Sequence, residues 1–500
     1  MYRIIQPDKD AYITNKIVGQ IRVTDANVGQ AGTIDIFKLY DENSITGETF
    51  PIELSRGLIY FDLAPIRSLT QTTLDINNTS FKCVLKLSDV YAGQTTPSNF
   101  TLVVHPLSKS FDEGLGRDVT RFEDLDVCNF ITSSVITTPV TWSLSGANKE
   151  GFLGSSDIDI IGSGNLNDGN GQVFLYVTQS FPLGSEDLEV DITKIISGTI
   201  AGLIPDHGFR IAFSGSQETD SKTRFVKRFA SRNTTNTAKR PKLIVTYNDT
   251  IQDDHNLFYF DLTGSIFLNN YHRGYPSNIL SGAAATSISG DNCLIVTLVS
   301  GVFSQSYSGS QFKIGDNYQI GVYSSSFALS QFNPTIKNLL SNSSSITFDE
   351  IWGSTDRTVG YYTGSLEIKR VERTSFSQTP ERFFVNITNM RASYKSSEDF
   401  RFRMFIQDFN TDVRYSKVPI ENTGIVVDKC FYRVRDFESE EIIIPFHDPG
   451  TQTSNDATSH YFDFYMSSLP KGRTYTFDFK IVNKGLEIII NDVAAKFRVE

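Results

Sequence analysis

The sequence predicts a multidomain all-β protein, and three observations carry that reading. Apolar residues alternate at a period of two: Phe400, Phe402, Met404 and Ile406 interleave with Arg401, Arg403, Phe405 and Gln407, and Tyr475, Phe477, Phe479 and Ile481 repeat the pattern. That spacing turns one face of a strand to a core and the other to water. The chain holds 38 Phe and 21 Tyr but only 2 Trp, a composition suited to half-buried pleated surfaces. At 500 residues it exceeds what one core organises, so several domains are expected.

Taken in order, Val173 to Thr178 is a short β-rich run. Asp191 to Ile200 carries Ile192, Ile195, Ile196 and Ile200 at helical spacing. Asn248 to Asp254 is polar and closes a first domain at residues 1–250. Residues 251–377 form a Ser/Gly-rich β domain with strands at Leu294 to Val299, Tyr318 to Tyr323 and Leu366 to Val371. A second boundary falls near Ser375 to Pro380. Residues 378–500 then hold eight short strands: Phe383 to Ile387, Phe400 to Gln407, Cys430 to Val434, Ile442 to Ile444, Tyr461 to Tyr465, Tyr475 to Val482, Leu486 to Ile490 and Ala495 to Val499. Strands at such spacing predict a sandwich. Asn483-Lys484-Gly485 predicts a hairpin with Gly in the left-handed region.

The succession Asp10-Ala11-Tyr12-Ile13, Asn27-Val28-Gly29 with Ile34 to Phe37, and Ser55-Arg56-Gly57-Leu58-Ile59-Tyr60-Phe61-Asp62-Leu63 opens a recognisable pattern. Glu186 to Thr193, Asp206 to Ile211, Phe229 to Asn233 and Arg240 to Tyr247 close it. In order and spacing these resemble the DNRLRE (disaggregatase-related repeat) domains, β-sandwich modules of carbohydrate-binding type. The resemblance implies a jelly-roll-like β-sandwich over residues 1–250, followed by two smaller β-sandwich or barrel-like domains. It also implies a module that binds or builds. Phe312 to Ser326, Arg382 to Phe409 and Lys471 to Val499 resemble segments of structural proteins in contractile-tailed phage virions. The expected role is a structural component of such a virion, at the neck, collar, baseplate or fibre attachment. Its partners would be other virion proteins, in multiple copies around a symmetric tail or neck. The alternative is a glycan-binding adhesin, and a glycan-degrading enzyme is a third reading.

Charge and motifs narrow the chemistry. With 46 basic and 57 acidic residues and a net charge of −11, a global nucleic-acid binder is disfavoured. The opening residues lack the apolar core of a secretory signal, and no run of about eighteen apolar residues spans a membrane. The expected location is a virion, after synthesis in a host cytoplasm. Cys83, Cys128, Cys293 and Cys430 lie far apart, as free thiols of a reducing compartment do. No His-Glu-x-x-His, Gly-x-Ser-x-Gly or phosphate-binding Gly-rich loop occurs. No catalytic residue, cofactor or required metal is therefore expected; Asp112, Glu113 and Glu123 to Asp126 are the candidates for a carboxylate pair of glycoside hydrolysis, and their other reading is solvated loop acids.

Three candidate sites remain. Lys222, Arg224, Lys227, Arg228, Arg232, Lys239, Arg240 and Lys242 concentrate positive charge on an acidic chain, a candidate docking patch. Their other reading is solvated strand edges that block strand addition. Phe111, Glu113 and Trp142 form a candidate sugar loop, with Phe111 at the Trp of the resembled family's W-x-E-G loop. Asn165, Asn167, Asp168 and Asn170 supply oxygen ligands for a weak calcium candidate or for ordinary turns.

Overall fold

The computed structural model describes residues 1–500 except 92, 94–95, 136, 283–284, 372–381, 410–423 and 492–494. Strands hold 46% of the described residues and helices 7%, so the protein is all-β and multidomain. It divides into two compact units: residues 3–68 with 79–246, and residues 1–2, 69–78 and 247–500. The predicted boundary at Ser375 to Pro380 lies outside the described residues.

In the first unit, a seven-stranded sheet runs in the order Val177–Phe181, Phe100–Pro106, Phe209–Phe213, Ile52–Tyr60, Thr33–Tyr40 and Arg224–Ala230, with Lys9–Thr14 also pairing Ile52–Tyr60. A second sheet joins Tyr2–Ile5, Lys242–Thr246, Lys82–Leu87 and Leu188–Asp191. The second sheet keeps the simple alternation: Cys83, Leu85 and Leu87 are buried, and Lys82 and Lys86 reach toward water. The larger sheet does not. Ser55, Arg56, Gly57, Leu58 and Ile59 are all buried, because both its faces are covered. On one face Ala11, Ile13 and Leu58 pack against Leu107, Phe111, Cys128, Phe130, Trp142, Ala147 and Ile160. On the other, a Cβ at Gly57 would come within 2.9 Å of Ile34, so only glycine lets the neighbouring strand approach. The predicted helix occupies Thr193–Ile200 and buries Ile195 and Ile196. The Val173 to Thr178 run is divided: Gln172–Phe174 pairs with Ile160–Asn165, and Val177–Phe181 pairs with Phe100–Pro106. One apolar run thus serves two sheets.

In the second unit, a six-stranded antiparallel sheet runs Thr263–Asn269, Asn317–Ala328, Phe303–Ile314, Leu294–Ser300, Ser345–Gly353 and Gly360–Lys369. Its core includes Phe260, Leu294, Val296, Leu298, Phe348, Trp352 and Leu366. Beyond it, Phe383–Ile387, Asp399–Asp408, His460–Tyr465 and Ser454–Asn455 form one sheet. Ser393–Tyr394, Lys496–Val499, Thr474–Asn483, Lys429–Asp436 and Ile442–Ile444 form another, with Leu486–Ile490 on Thr474–Asn483. A strand stands at each of the eight predicted positions. Lys484 and Gly485 both have positive φ, 49° and 80°, the backbone of a tight hairpin.

The core of this last region is aromatic. Phe402 lies 5.2 Å from Phe462 and 5.0 Å from Phe477, and Phe477 lies 5.1 Å from Phe497, centroid to centroid. Such pairs add about 0.5–1.5 kcal/mol each beyond their buried area. The polar run after Asn248 is not a free linker. The Ile251 carbonyl accepts from the Asn455 amide at 3.0 Å, and Asn455 exchanges side-chain bonds with the Asp253 backbone at 2.9 and 3.0 Å.

Candidate functional site

The basic stretch does not form the open positive patch that its sequence suggests. The Arg224–Ala230 strand pairs with Thr33–Tyr40 and aims its long side chains at one acid just before it in sequence and two from distant segments. Arg224 donates to Asp220 at 2.8 and 2.5 Å. Lys227 is wholly buried and donates to Asp89 at 2.5 Å and to the Gly184 and Glu186 carbonyls at 2.8 and 2.7 Å. Burial pulls its pKa down, against the pull of Asp89. Arg228 forks onto Asp35 at 2.7 and 2.6 Å, which holds its pKa up. Arg232 reaches both oxygens of Glu113 at 3.0 and 2.8 Å. Lys222 and Lys239 are exposed, whereas Arg240 and Lys242 are half-buried. Of the eight residues of the expected docking patch, Arg224, Lys227, Arg228 and Arg232 neutralise carboxylates of the chain itself, which takes these four out of an open patch.

The sugar-loop expectation is corrected as well. Phe111 and Trp142 are only 2% and 5% exposed, inside the cluster against Leu58 and Phe130. Trp142 donates its indole N–H to the Asn129 carbonyl at 3.0 Å. Glu113, besides holding Arg232, accepts from the Asp10 amide at 3.1 Å. Neither Phe111 nor Trp142 presents a ring face for a sugar to stack on. The calcium candidate is a pair of turns: Asn165 accepts from the Asn167 amide at 2.8 Å and Asp168 from the Asn170 amide at 3.0 Å. Asp168 also faces Lys194 at 3.5 Å. Among the described residues, no group of three or more His, Cys, Asp or Glu could hold a metal ion.

Asp10 is the unusual acid of this region. One carboxylate oxygen accepts from the Arg232 amide at 2.5 Å, and the other is buried without a partner. Burial, offset by the Arg232 amide and reinforced by Glu113, pushes its pKa up to about 7. On the covered face of the large sheet, Arg56 forks onto Glu218 at 2.9 and 2.8 Å and donates to the Gly146 carbonyl at 2.7 Å. Arg210 donates to the Ala147 carbonyl and to Asn148, both at 2.9 Å. Burial and the charge of Arg56 bring its pKa down to about 9. Asp159, fully buried, accepts the amides of Ser143, Leu144 and Lys149 at 2.7, 2.9 and 3.0 Å. These groups pin the 143–149 loop.

Two concave regions escaped the sequence reading. In the first unit, a groove of about 430 Å³ is lined by Tyr12, Phe37, Val119, Phe122, Phe225 and the Asp35–Arg228 pair. In the second unit, a more enclosed cleft of about 180 Å³ gathers Arg401, Asp463, Tyr432, Tyr461, Phe462 and Gln452, with Asn269 and Ile320 from the six-stranded sheet. There Arg401 forks onto Asp463 at 2.7 and 2.8 Å and lies 4.5 Å over the Tyr461 ring. The Tyr432 ring stacks on Phe462 at 4.5 Å. These residues come from strands far apart in sequence, so no local motif announces them.

No family model matches the chain, and no curated protein matches it. Among solved structures, fibronectin(III)-like modules of Clostridium thermocellum CbhA are 7% identical, over 50% of this chain and 90% of that one, with a TM-score of 0.14. Trypsin-activated alpha-2-macroglobulin from Escherichia coli is 8% identical over 89% of this chain, with a TM-score of 0.15, and the chain spans only 23% of that protein. A putative membrane anchored protein from Corynebacterium diphtheriae is 10% identical, over 100% of this chain and 96% of that one, with a TM-score of 0.14. Scores this low assign no shared fold. What the chain's own architecture defines is a multidomain all-β protein with concave regions in both units and a set of internally paired charges.

Proposed function

We propose that the chain is a structural component of a tailed-phage virion, at the neck, collar, baseplate or fibre attachment, acting by docking against neighbouring subunits. The observation that carries the reading is its surface. Leu115, Phe174 and Leu183 in the first unit are exposed by 71%, 73% and 76%, and Tyr275, Val302 and Phe332 in the second by 77%, 90% and 75%. Large apolar side chains, aromatic ones above all, are what protein interfaces gather. The resemblance of residues 312–326, 382–409 and 471–499 to virion proteins supports the same role. Docking would be mainly apolar in character, since Arg224, Lys227, Arg228 and Arg232 are committed to carboxylates of the chain itself. The adhesin reading is weakened by the burial of Phe111 and Trp142. The test is to tag the chain in a phage genome that encodes it, purify the particles and count copies by mass spectrometry. A fixed multiple per particle is expected, and particles lacking the chain overturn the proposal.

A further inference from the structure

We infer that the open edge of the six-stranded sheet pairs, antiparallel, with the same edge of a second copy of this chain, in a register centred on Ser365. The inference does not rest on the virion reading, and either can fail without the other. Gly360–Lys369 is the last strand of that sheet and is ten residues long. Its outward side is occupied at one end: the Lys369 amide donates to the Phe258 carbonyl at 3.0 Å, and the Lys369 carbonyl accepts from the Phe260 amide at 2.9 Å. The direction of backbone groups alternates along a strand, so Thr363, Ser365 and Glu367 also turn their N–H and C=O groups outward. Among the described residues, no group pairs with these backbone atoms. All three side chains are exposed.

The molecule covers its other long edges. The edge strands next in length, Arg224–Ala230 and Thr263–Asn269, have seven residues each. Along the first, the Val90 amide donates to the Arg228 carbonyl at 3.1 Å and the Ala230 amide to the Ser88 carbonyl at 3.0 Å. Along the second, the Ser265 carbonyl accepts from the Asp254 amide at 2.9 Å, and the Ser265 amide donates to the Asp254 carboxylate at 2.7 Å. The open edge has no such cover, and it lacks the usual obstacles to strand addition. It contains no proline, and its bulge and its lysine lie at its two ends, at Gly360 to Tyr362 and at Lys369.

A second copy fits this stretch by its own pattern. Antiparallel partners exchange both N–H···O bonds between residues whose backbone groups face each other. Only the register that sets Ser365 opposite its own copy uses Thr363, Ser365 and Glu367 together, because Thr363 then meets Glu367 and Glu367 meets Thr363. The Thr363 hydroxyl is placed to donate to the Glu367 carboxylate, and no like charges stand opposite each other. On the other face Tyr362, which is 46% exposed, meets Ile368 of the second copy. The arrangement is a two-fold, so it closes as a dimer and does not grow into a fibre. A ladder this short buries less than the ~1,200 Å² at which stable interfaces begin, so the dimer should depend on concentration.

The experiment is sedimentation velocity of the full chain across a dilution series, with amide hydrogen exchange beside it. The parent should pass from monomer to dimer as concentration rises, and exchange at Thr363, Ser365 and Glu367 should slow in step. Ser365→Pro removes an N–H that the monomer leaves unbonded, at an edge position where proline is tolerated. It should melt like the parent and stay monomeric. Ser365→Lys and Ser365→Asp each set like charges face to face across the axis, so each should stay monomeric alone, and an equal mixture should restore the dimer. A parent that is monomeric at every concentration overturns the inference, as does a Ser365→Pro or Ser365→Lys chain that dimerises as the parent does. A mixture that stays monomeric overturns the register, and the inference with it.

Discussion

The large sheet of the first unit and the C-terminal sandwich of the second solve the same packing problem with opposite materials. The first buries charge: Lys38, Lys227 and Asp159 have no exposed surface, and Arg56 and Arg210 have 3%. The second buries rings, with Phe402, Phe464, Phe477 and Phe497 at 1% or less. Rings gain from contact in many orientations, so aromatic packing tolerates adjustment. Buried ion pairs gain only in one geometry and are costly in any other. The comparison teaches that a covered sheet face can be specified by polar bonds where loops fold over it, and by apolar volume where two sheets meet.

The largest effect should come from the aromatic side. Phe477→Ala removes a ring that touches Phe402, Phe462 and Phe497 and should cost about 3–5 kcal/mol. Chemical denaturation followed by tyrosine fluorescence would show an earlier transition, and an unchanged midpoint would remove Phe477 from the core's energetic centre.

Next comes the ionic side. Glu218→Gln keeps the shape but leaves Arg56 without its counter-charge, and should cost about 1.5–3 kcal/mol. Because the pair is buried, the loss should be nearly independent of salt. A loss that disappears in molar salt would show that the network is solvated.

Asp10 sharpens the contrast through pH. Its folded pKa, about 7, lies above the ordinary 3.8, so the folded state binds the proton more tightly than the unfolded state does. Its contribution is therefore fully present below about pH 4 and declines as pH rises toward 7. Between about pH 6 and pH 8 the decline should be on the order of 1 kcal/mol, and Asp10→Asn should flatten it. A variant with the parent's pH profile would assign the dependence elsewhere. The smallest effect belongs to an exposed pair. Arg401 and Asp463 are 44% and 46% exposed, so Asp463→Asn should cost no more than about 1 kcal/mol in the same denaturation assay.

The contrast also explains what could be read in advance. Among the C-terminal strands, Asp399–Asp408 was legible because its outer face meets water, leaving the alternation of Phe400 to Gln407 intact, and Thr474–Asn483 because its inward rings still alternate with Thr476, Asp478 and Lys480 although Tyr475 to Phe479 are all buried. The Ile52–Tyr60 strand buries residues on both faces, which erases its period of two, and only the resemblance marked it. The basic residues at 222–242 were visible as a cluster, but their partners at Asp35, Asp89 and Glu113 lie 193, 138 and 119 positions away. Sequence proximity recorded the charges and not their neutralisation. The second-unit cleft was hidden for the same reason, since its residues meet only after several strands have paired.

Residues 69–78 lie between two stretches of the first unit yet belong to the second. Asn317 donates to the Thr70 carbonyl at 3.0 Å across 247 positions. A ribosome adding about 5–20 residues per second delivers that partner roughly 12–50 s after Thr70 has been made. For that interval the nascent first unit carries an unfinished tether, and the order of synthesis makes completion of the second unit depend on a segment laid down long before it.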